Sequence, residues 1–440
     1  MTVPDFKKGC NQMINVAIFP CGSEAGLEIH NALRHEKNIT LFGASSVSCH
    51  GEVLFHNYDN SLPFITADNF ESELNAYLIR NKIDFIFPAY DEVIVKLAEI
   101  GDRLAAKAVI PSAEVCNIAR QKSATYTRLA GLDFVPGFTL DPQSITDFPV
   151  FAKPDKGQGS QGIKKIESKI MLDDFVAHNN DMIYCELLTG TEYTVDCFTD
   201  RHGQLKFFGQ RARERVKSGI SVRTTTSSST DEIRQIAADI LERIPFRGAW
   251  FFQLKRDSQG KLKILEVAAR VGGSMAASRV CGGNLALMSL YDLQGIDVNT
   301  VTTSDEVTLE RYLGNRFKRH LKYDHVYLDF DDTVTHKGKV NLQVLQYLYY
   351  CHNLGKRVTL ITRHQFDLDK TLSDLRLSRQ MFSDVIHILD GSAKSQHIRP
   401  ENAIFIDDSF VERLDVHTQC SIPVFSVDAV ESLIDWRTIP

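Results

Sequence analysis

Apolar runs of strand length alternate with helical patterns over the first part of the chain. Residues 14–19 and 39–43 are typical of buried strands, and between them lie a glycine turn and the helical pattern 27–35. Residues 85–88 form a further buried run. This order of strand, turn, helix and strand predicts a small parallel sheet. No GxGxxG turn follows the first strand, so a dinucleotide site is not expected there.

Two acids, Asp91 and Glu92, follow closely after the run 85–88. Ligands of open α/β sheets bind at the carboxyl ends of the strands, so either acid is a candidate for a substrate contact. Capping of the helix that follows would account for the acids equally well. The pattern leaves both interpretations open.

A lysine and a glycine-rich stretch follow a β-like run in the middle of the chain. The helical pattern 120–131 comes first, and the strand pattern 148–154 carries Lys153 near its end. Residues 157–162 read Gly-Gln-Gly-Ser-Gln-Gly, and 163–166 have the pattern of a strand, not of the helix that a dinucleotide-binding unit requires. A strand–loop–strand arrangement predicts a flap whose amides close over phosphates, with Lys153 as a point charge beneath it. A flexible surface turn is the alternative.

Two extended runs flank the pair Gln259-Gly260, which predicts a tight hairpin. A two-residue loop at this pair places Gln253 directly opposite Glu266, with both side chains on one face. A carboxylate and an amide oxygen that converge in this way suit a hard cation such as Mg²⁺. Arg270, just past the second run, adds a guanidinium that can contact phosphate oxygens. An ordinary hairpin with a solvated acid is the alternative.

A second acidic pattern begins near the C-terminal end of the chain. The apolar run 326–328 leads into Asp329-Phe330-Asp331, which places two carboxylates side by side where the chain turns. One carboxylate can attack phosphorus while the other transfers the proton, and Mg²⁺ would offset their repulsion. The sequence therefore predicts phosphoryl chemistry in this region as well.

Three later features complete this pattern. The strand pattern 357–362 ends in the hydroxyl of Thr362, Lys394 follows, and the strand pattern 403–406 ends in the paired acids Asp407 and Asp408. Since a single helical run lies between the first two features, there is no room for a large cap domain over the site. An uncapped site accepts a large substrate, or the preceding domains serve as its lid.

Composition narrows the class of protein. A chain of 440 residues is long enough for about three domains, and 43% hydrophobic with 24% charged residues is typical of a soluble globular protein. The net charge of −6 argues against a nucleic-acid-binding surface. The nine cysteines form no CxxC pair, so we expect reduced thiols in a cytoplasmic protein. No run approaches the roughly 18 apolar residues of a membrane span, and the polar start does not resemble a signal peptide.

The features of residues 14–300 resemble, as a set, those of ATP-grasp enzymes, and most closely the carbamoyl-phosphate-synthetase-like branch. The metal-binding strand of that family usually reads Glu-x-Asn-x-Arg, and here Ala268 stands at the Asn position. One oxygen ligand is therefore missing, which puts a second metal ion in question. The resemblance implies ATP and Mg²⁺ as cofactors, with Mn²⁺ as a substitute for Mg²⁺, and a small-molecule carboxylate and an amine as substrates.

Residue roles follow from the same resemblance. The metal would be held by Gln253 and Glu266, catalysis would involve Lys153 and Arg270, and the base and ribose would meet a hinge strand. Arg213 lies in the basic run 210–219, which suits a γ-phosphate or an anionic substrate, or else a solvated face. The full set of expected ATP-binding residues is Lys122, Lys153, Gly157, Gly159, Ser160, Gly162, Glu186, Leu187, Leu188, Glu192 and Arg213.

The pattern of residues 322–440 resembles the four motifs of haloacid-dehalogenase-type phosphatases (HAD-type). By that resemblance, Asp329 would be the nucleophile and Asp331 the general acid and base. Thr362 and Lys394 would hold the phosphate. The resemblance implies a magnesium site drawn from Asp329, Asp331, Asp407 and Asp408, and a phosphorylated metabolite as substrate. A purely structural domain is the alternative.

The expected architecture is multidomain, of the α/β and α+β classes. A Rossmann-like α/β domain over 1–110 would precede an ATP-grasp domain over 111–315 and a Rossmannoid HAD-like domain over 320–440. The expected activity is bifunctional: a carboxylate–amine ligase that forms an acyl phosphate, and a phosphomonoester hydrolase. A small-molecule kinase, an ATP-binding sensor with little turnover, and a metabolite-binding module with only the phosphatase active remain as alternatives. A homodimer is compatible with the sequence.

Overall fold

The computed structural model describes residues 13–157, 159, 161–228, 230–303 and 305–438. Its contacts divide the chain into two compact units, one that ends at Leu313 and one that begins at Gly314. In the described part of the chain, no helix has both the length and the apolar character needed to cross a membrane.

The first unit opens with the predicted parallel sheet, in the strand order β3-β2-β1-β4-β5. Helix α1 begins at Glu24, three residues before the predicted start, because the Ser23 hydroxyl caps it by accepting the Gly26 N–H at 2.9 Å. The elements are β1 (Ile14–Phe19), α1 (Glu24–Leu33), β2 (Ile39–Ala44), β3 (Asn57–Asp59), α2 (Phe70–Arg80), β4 (Phe85–Pro88), α3 (Asp91–Ile100) and β5 (Lys107–Ala108).

A four-stranded antiparallel sheet in the order β6-β9-β7-β8 carries the glycine-rich loop. The strands on either side of the loop pair with each other, which is the predicted strand–loop–strand arrangement. The elements are α4 (Ala113–Arg120), α5 (Lys122–Arg128), β6 (Phe138–Thr139), β7 (Val150–Pro154), β8 (Lys164–Ile166), α6 (Lys169–His178) and β9 (Met182–Glu186).

A six-stranded antiparallel sheet in the order β14-β13-β10-β11-β12-β15 completes the unit. Side chains alternate along its strands, so Trp250 and Phe252 pack with Ile240 of α7 in the core while Gln253 faces the other way. The elements are β10 (Glu192–Thr199), β11 (Leu205–Lys217), β12 (Ile220–Ser227), α7 (Asp231–Arg243), β13 (Gly248–Arg256), β14 (Leu262–Ala268), α8 (Ala276–Val280), α9 (Leu285–Leu293) and β15 (Thr308–Glu310).

The hairpin between β13 and β14 has the predicted pairing but not the predicted turn. Gln253 does lie opposite Glu266. The prediction of a two-residue loop was wrong, because the Asp257 N–H donates to the Lys261 carbonyl and the loop is longer. A β-bulge at Leu265 takes up the difference and restores the expected register.

The second unit is built on a parallel sheet in the order β20-β19-β16-β21-β22. Because parallel strands share one carboxyl edge, the residues that follow β16, β19 and β21 come together there. The elements are β16 (His325–Leu328), β17 (Thr335–His336), β18 (Lys339–Val340), α10 (Leu342–Asn353), β19 (Arg357–Thr362), α11 (Leu368–Asp374), β20 (Asp384–His387), β21 (Ala403–Ile406), α12 (Phe410–Cys420) and β22 (Val424–Phe425).

Candidate functional site

Polar side chains form two adjacent rows across one face of the six-stranded sheet. In the first row Glu266 lies opposite Gln253, which lies opposite Thr194. In the second row Glu192 lies opposite Lys255. Gln253 and Glu266 of the first row and both residues of the second row border a cavity between the two antiparallel sheets of the first unit. The alternation of the strands thus turns charged and amide groups toward one enclosed space.

Most of the predicted ATP-binding residues line this cavity. Of that set, Gly162 and Leu187 are not among its lining residues, and Ser160 lies outside the described residues; the catalytic candidate Arg270 does not line the cavity either. The cavity brings together Lys122, Lys153, Gly157, Gly159, Glu186, Leu188, Glu192, Arg213, Gln253 and Glu266.

Lys153 is buried in this cavity, with 6% of its surface exposed. Its Nζ donates to the Tyr126 hydroxyl at 2.8 Å and to the Leu265 carbonyl at 3.1 Å. The Tyr126 hydroxyl in turn donates to the same carbonyl at 2.7 Å. Burial lowers the pKa of Lys153. The bulge at Leu265 therefore supplies the carbonyl that holds the lysine, and Tyr126 is a site residue that the sequence did not single out.

The glycine-rich loop is tied to the chain on both sides of the cavity. Lys122 Nζ donates to the carbonyls of Pro154 at 3.2 Å and Gly157 at 3.1 Å. At the other side, Gly219 in the turn between β11 and β12 lies so close to Gly159 that an added Cβ would fall on the Gly159 backbone. Gly219 has φ +76°, a conformation that favours glycine. The absence of a side chain at this turn lets the loop approach it.

Glu192 lies between two cations at the cavity wall. Arg213 Nε is 2.6 Å from its carboxylate and Lys255 Nζ is 3.8 Å away. At the far end of β9, Glu186 accepts the Gly137 N–H at 3.0 Å. Both predicted nucleotide contacts are thus already held by protein partners.

Arg270 lies beside Asp91, the first residue of α3, and forms an ion pair with it. Burial opposes the ionised form of Asp91, but Arg270 outweighs it and holds the pKa of the carboxyl below its usual value. Glu92 pairs in the same way with Arg120. Helix α3 has no side-chain cap, so neither acid caps it. The two acids are partners of arginines from elsewhere in the unit.

The donor set of the cavity fits one divalent cation. Gln253 and Glu266 offer an amide oxygen and a carboxylate from neighbouring strands, and both line the cavity. Ala268 has no side-chain oxygen, so this position on β14 supplies no further ligand. A second ion would need ligands from outside these strands.

A compact charged cluster lies at the carboxyl edge of the parallel sheet in the second unit. Lys394 Nζ donates to Asp329 and to Asp407, at 2.6 Å in each case. Oxygens of Asp329, Asp407 and Asp408 all lie within 4.8 Å of one another, a spacing that suits a metal ion. All three acids follow parallel strands, as the sequence predicted, and Lys394 offsets their charge.

Burial controls the protonation of this cluster. It raises the pKa of Asp329, with a further contribution from Asp407, while Lys394 acts in the opposite direction. Burial also raises the pKa of Asp407. A divalent cation would add positive charge where the two carboxylates now share one lysine.

Asp331 and Thr362 lie near the cluster and are joined by a residue that the sequence did not single out. The Asp331 carboxylate is outside the group of three acids, and His364 Nδ1 lies 2.9 Å from it. The Thr362 hydroxyl accepts the His364 N–H at 3.0 Å. In the sequence, only the position of His364 two residues after a strand end could have pointed to it.

One family of known proteins matches part of the first unit. Residues 178–312 match the family described as ATP-grasp in the biosynthetic pathway with Ter operon. No curated protein sequence matches the chain.

Three solved structures resemble the first unit. Pyruvate carboxylase of Rhizobium etli is 17% identical over 66% of this chain, with a TM-score of 0.53, and this chain spans 29% of it. N5-carboxyaminoimidazole synthetase of Staphylococcus aureus, complexed with ADP, is 13% identical over 68% of this chain and 82% of its own, with a TM-score of 0.56. L-amino acid ligase of Bacillus licheniformis is 17% identical over 64% of this chain and 75% of its own, with a TM-score of 0.52. The first unit therefore has the ATP-grasp fold.

Proposed function

We propose that the first unit is an ATP-dependent ligase that joins a carboxylate to an amine. The observation that carries the proposal is the convergence of Lys153, Glu192, Gln253 and Glu266 on one cavity between the two antiparallel sheets. A neighbour of the same fold holds ADP, and another is an amino acid ligase. These likenesses support nucleotide binding, and the residues of the cavity support phosphoryl transfer.

In the proposed reaction a substrate carboxylate oxygen attacks the γ-phosphorus of ATP, and ADP leaves. The amine then attacks the carbonyl carbon of the acyl phosphate and phosphate departs, which leaves an amide. Lys153 would neutralise negative charge on the phosphates, and Arg270 would hold a substrate anion if it exchanges its partner Asp91. Gln253 and Glu266 would hold Mg²⁺, whose charge lowers the repulsion between the phosphates and the incoming carboxylate.

The glycine-rich loop would act as the cover of this site. Its backbone N–H groups can donate to phosphate oxygens, and Lys122 holds its first glycine through the Gly157 carbonyl at 3.1 Å. Glu186 and Leu188 line the wall of the cavity and would contact the base, and Glu192, on the same wall, would contact the ribose. Closure of the loop would exclude water from the acyl phosphate.

The test is release of ADP from MgATP in the presence of pools of amino acids and other small carboxylates. We expect release to require a particular acid and amine, and to be abolished in Lys153→Ala. Hydroxylamine captures acyl phosphates as hydroxamates, so hydroxamate formation supports the ligase. ADP release with a stable phosphorylated product would indicate a kinase, which the alanine at position 268 makes the leading alternative. ATP binding without turnover would indicate a sensor.

A second activity is favoured by the cluster of Asp329, Lys394 and Asp407: we propose that the second unit hydrolyses phosphomonoesters. Asp329 would attack phosphorus, and Asp331 would protonate the leaving oxygen. Thr362 and Lys394 would hold the phosphate, and a Mg²⁺ at the three carboxylates would neutralise its charge. Water would then hydrolyse the aspartyl phosphate.

The two activities have separate tests. Asp329→Asn should abolish magnesium-dependent hydrolysis of p-nitrophenyl phosphate and leave ADP release unchanged. Lys153→Ala should abolish ADP release and leave the hydrolysis of p-nitrophenyl phosphate unchanged. Loss of both activities in either variant would contradict the assignment of two independent sites.

A further inference from the structure

The Asp331 carboxylate is held in place by a histidine from the next strand end. His364 Nδ1 lies 2.9 and 3.1 Å from the two carboxylate oxygens. The Asp331 side chain is 53% exposed, whereas that of His364 is 8% exposed. An exposed carboxylate is ordinarily free to change rotamer, so the buried ring is what fixes its position.

The ring itself is fixed on its other edge and along its backbone. His364 Nε2 lies 2.9 Å from the Thr371 hydroxyl of α11. The His364 N–H donates to Thr362, and the His364 carbonyl is 2.7 Å from Nε2 of His387. Phe330 lies edge-on to the ring, at 5.3 Å between centroids. Thr371 and Phe330 therefore hold the ring itself, while Thr362 and His387 contact only the backbone of His364.

Thr371 is itself fixed on α11. Its hydroxyl donates to the Asp367 carbonyl at 2.9 Å, which leaves its oxygen to accept from His364 Nε2. The ring therefore keeps its Nε2 edge on α11 and its Nδ1 edge on Asp331.

We infer that His364 is a positioning residue that holds the Asp331 carboxyl group in one orientation, an inference that rests on the proposed phosphatase function. In the first half of that reaction the Asp329–phosphorus bond forms, the bond to the leaving oxygen breaks, and the Asp331 proton moves to that oxygen. In the second half water attacks phosphorus, the Asp329–phosphorus bond breaks, and Asp331 takes the proton of the water. Asp331 is thereby returned to its starting state.

Anchoring of the loop after β19 is the competing explanation for the same contacts. It predicts that loss of the imidazole lowers kcat by the same factor on every substrate. The positioning role predicts instead a loss that depends on the leaving group, because a phenolate of high basicity needs a proton from Asp331 and p-nitrophenolate needs it much less.

The experiment measures kcat and KM of the full chain with Mg²⁺ on phenyl phosphate and p-nitrophenyl phosphate. For His364→Phe, which keeps a ring against Phe330, we expect kcat to fall about 100-fold on phenyl phosphate and less than about 10-fold on p-nitrophenyl phosphate. KM should change little, because Thr362 and Lys394 remain. His387→Phe removes the contact to the His364 carbonyl and is the matched control. We expect it to leave kcat unchanged on both esters.

Two further variants keep the inference falsifiable. His364→Phe combined with Asp331→Asn should be no slower on phenyl phosphate than Asp331→Asn alone, since the histidine acts through the acid. Thr371→Val, which keeps the ring, should show the same leaving-group dependence in weaker form, and it serves if His364→Phe does not fold. Equal losses on both substrates, or fully additive losses in the double variant, would overturn the inference. Failure of wild type to hydrolyse either ester would instead refute the phosphatase itself.

Discussion

Replacement of Lys153 by methionine tests the cavity of the first unit most simply. The side chain is 6% exposed, and its ammonium group is held at 2.8 Å by Tyr126 and at 3.1 Å by the Leu265 carbonyl. Methionine keeps the apolar stem and removes the charge. A hydrogen bond to a charged group contributes about 1.5–3 kcal/mol, so we expect ATP to bind about 10- to 150-fold more weakly.

The fold should tolerate this change. Tyr126 would still donate to the Leu265 carbonyl at 2.7 Å, so that acceptor keeps a partner. Burial lowers the pKa of Lys153, which means that the folded state holds its charged form at a cost. The thermal unfolding temperature of Lys153→Met should therefore be no lower than that of wild type.

Calorimetric titration with MgATP and with adenosine separates the phosphate contact from the rest of the site. Adenosine lacks phosphates, so its affinity should be the same in wild type and in Lys153→Met. Lys165→Met, which removes an exposed lysine on neighbouring strand β8, is the control and should leave both affinities unchanged. An equal loss for ATP and adenosine, or unchanged ATP affinity, would refute the placement of Lys153 at the phosphates.

Three further predictions concern the loop and the acidic cluster. Gly219→Ala would put a Cβ on the Gly159 backbone, so ATP should bind at least about fivefold more weakly. Gly203→Ala is the control: Gly203 has φ +74° and open space around it, so the substitution carries the same backbone strain and should not alter ATP binding. Lys394→Met should lower the unfolding free energy of the second unit by about 3–5 kcal/mol, because Asp329 and Asp407 lose their shared cation, and urea unfolding that matches wild type would contradict this. In the metal-free protein burial raises the pKa of Asp329 to about 7 and raises that of Asp407 as well, so the native state binds protons more tightly than the unfolded chain. The contribution of this cluster to stability should be full below about pH 4 and be lost as the pH rises through about 7, and Asp329→Asn should show a shallower loss over that range in urea unfolding.

The local features of the fold and of the sites were predictable from the sequence. Alternation and turn residues were enough to pair Gln253 with Glu266, although the chain reaches that register through a longer loop and a bulge at Leu265. The acids of the second unit were predictable as neighbours because Asp329 and Asp407 end parallel strands, whose carboxyl ends share an edge.

Contacts between distant segments were not predictable from the sequence. Arg270 was expected at phosphate oxygens, and nothing in the sequence indicated its ion pair with Asp91, 179 residues away. Tyr126 contacts Lys153 because α5 packs against the bulged strand, and no pattern of apolar residues in the sequence predicts that contact. His364 likewise resembles an ordinary loop histidine until β16 and β19 bring it to Asp331. These contacts depend on packing and not on local pattern.

Transfer of oxygen from the carboxylate to phosphate tests the ligase proposal most directly. Once the ADP-release screen has identified the acid and amine, the acid would be labelled with a heavy oxygen isotope in its carboxyl group, and the inorganic phosphate would be analysed by mass spectrometry in the Asp329→Asn background. We expect one labelled oxygen in each phosphate, because the acyl phosphate breaks between the carbonyl carbon and the bridging oxygen, which came from the carboxylate. Phosphate without label would contradict an acyl-phosphate ligase.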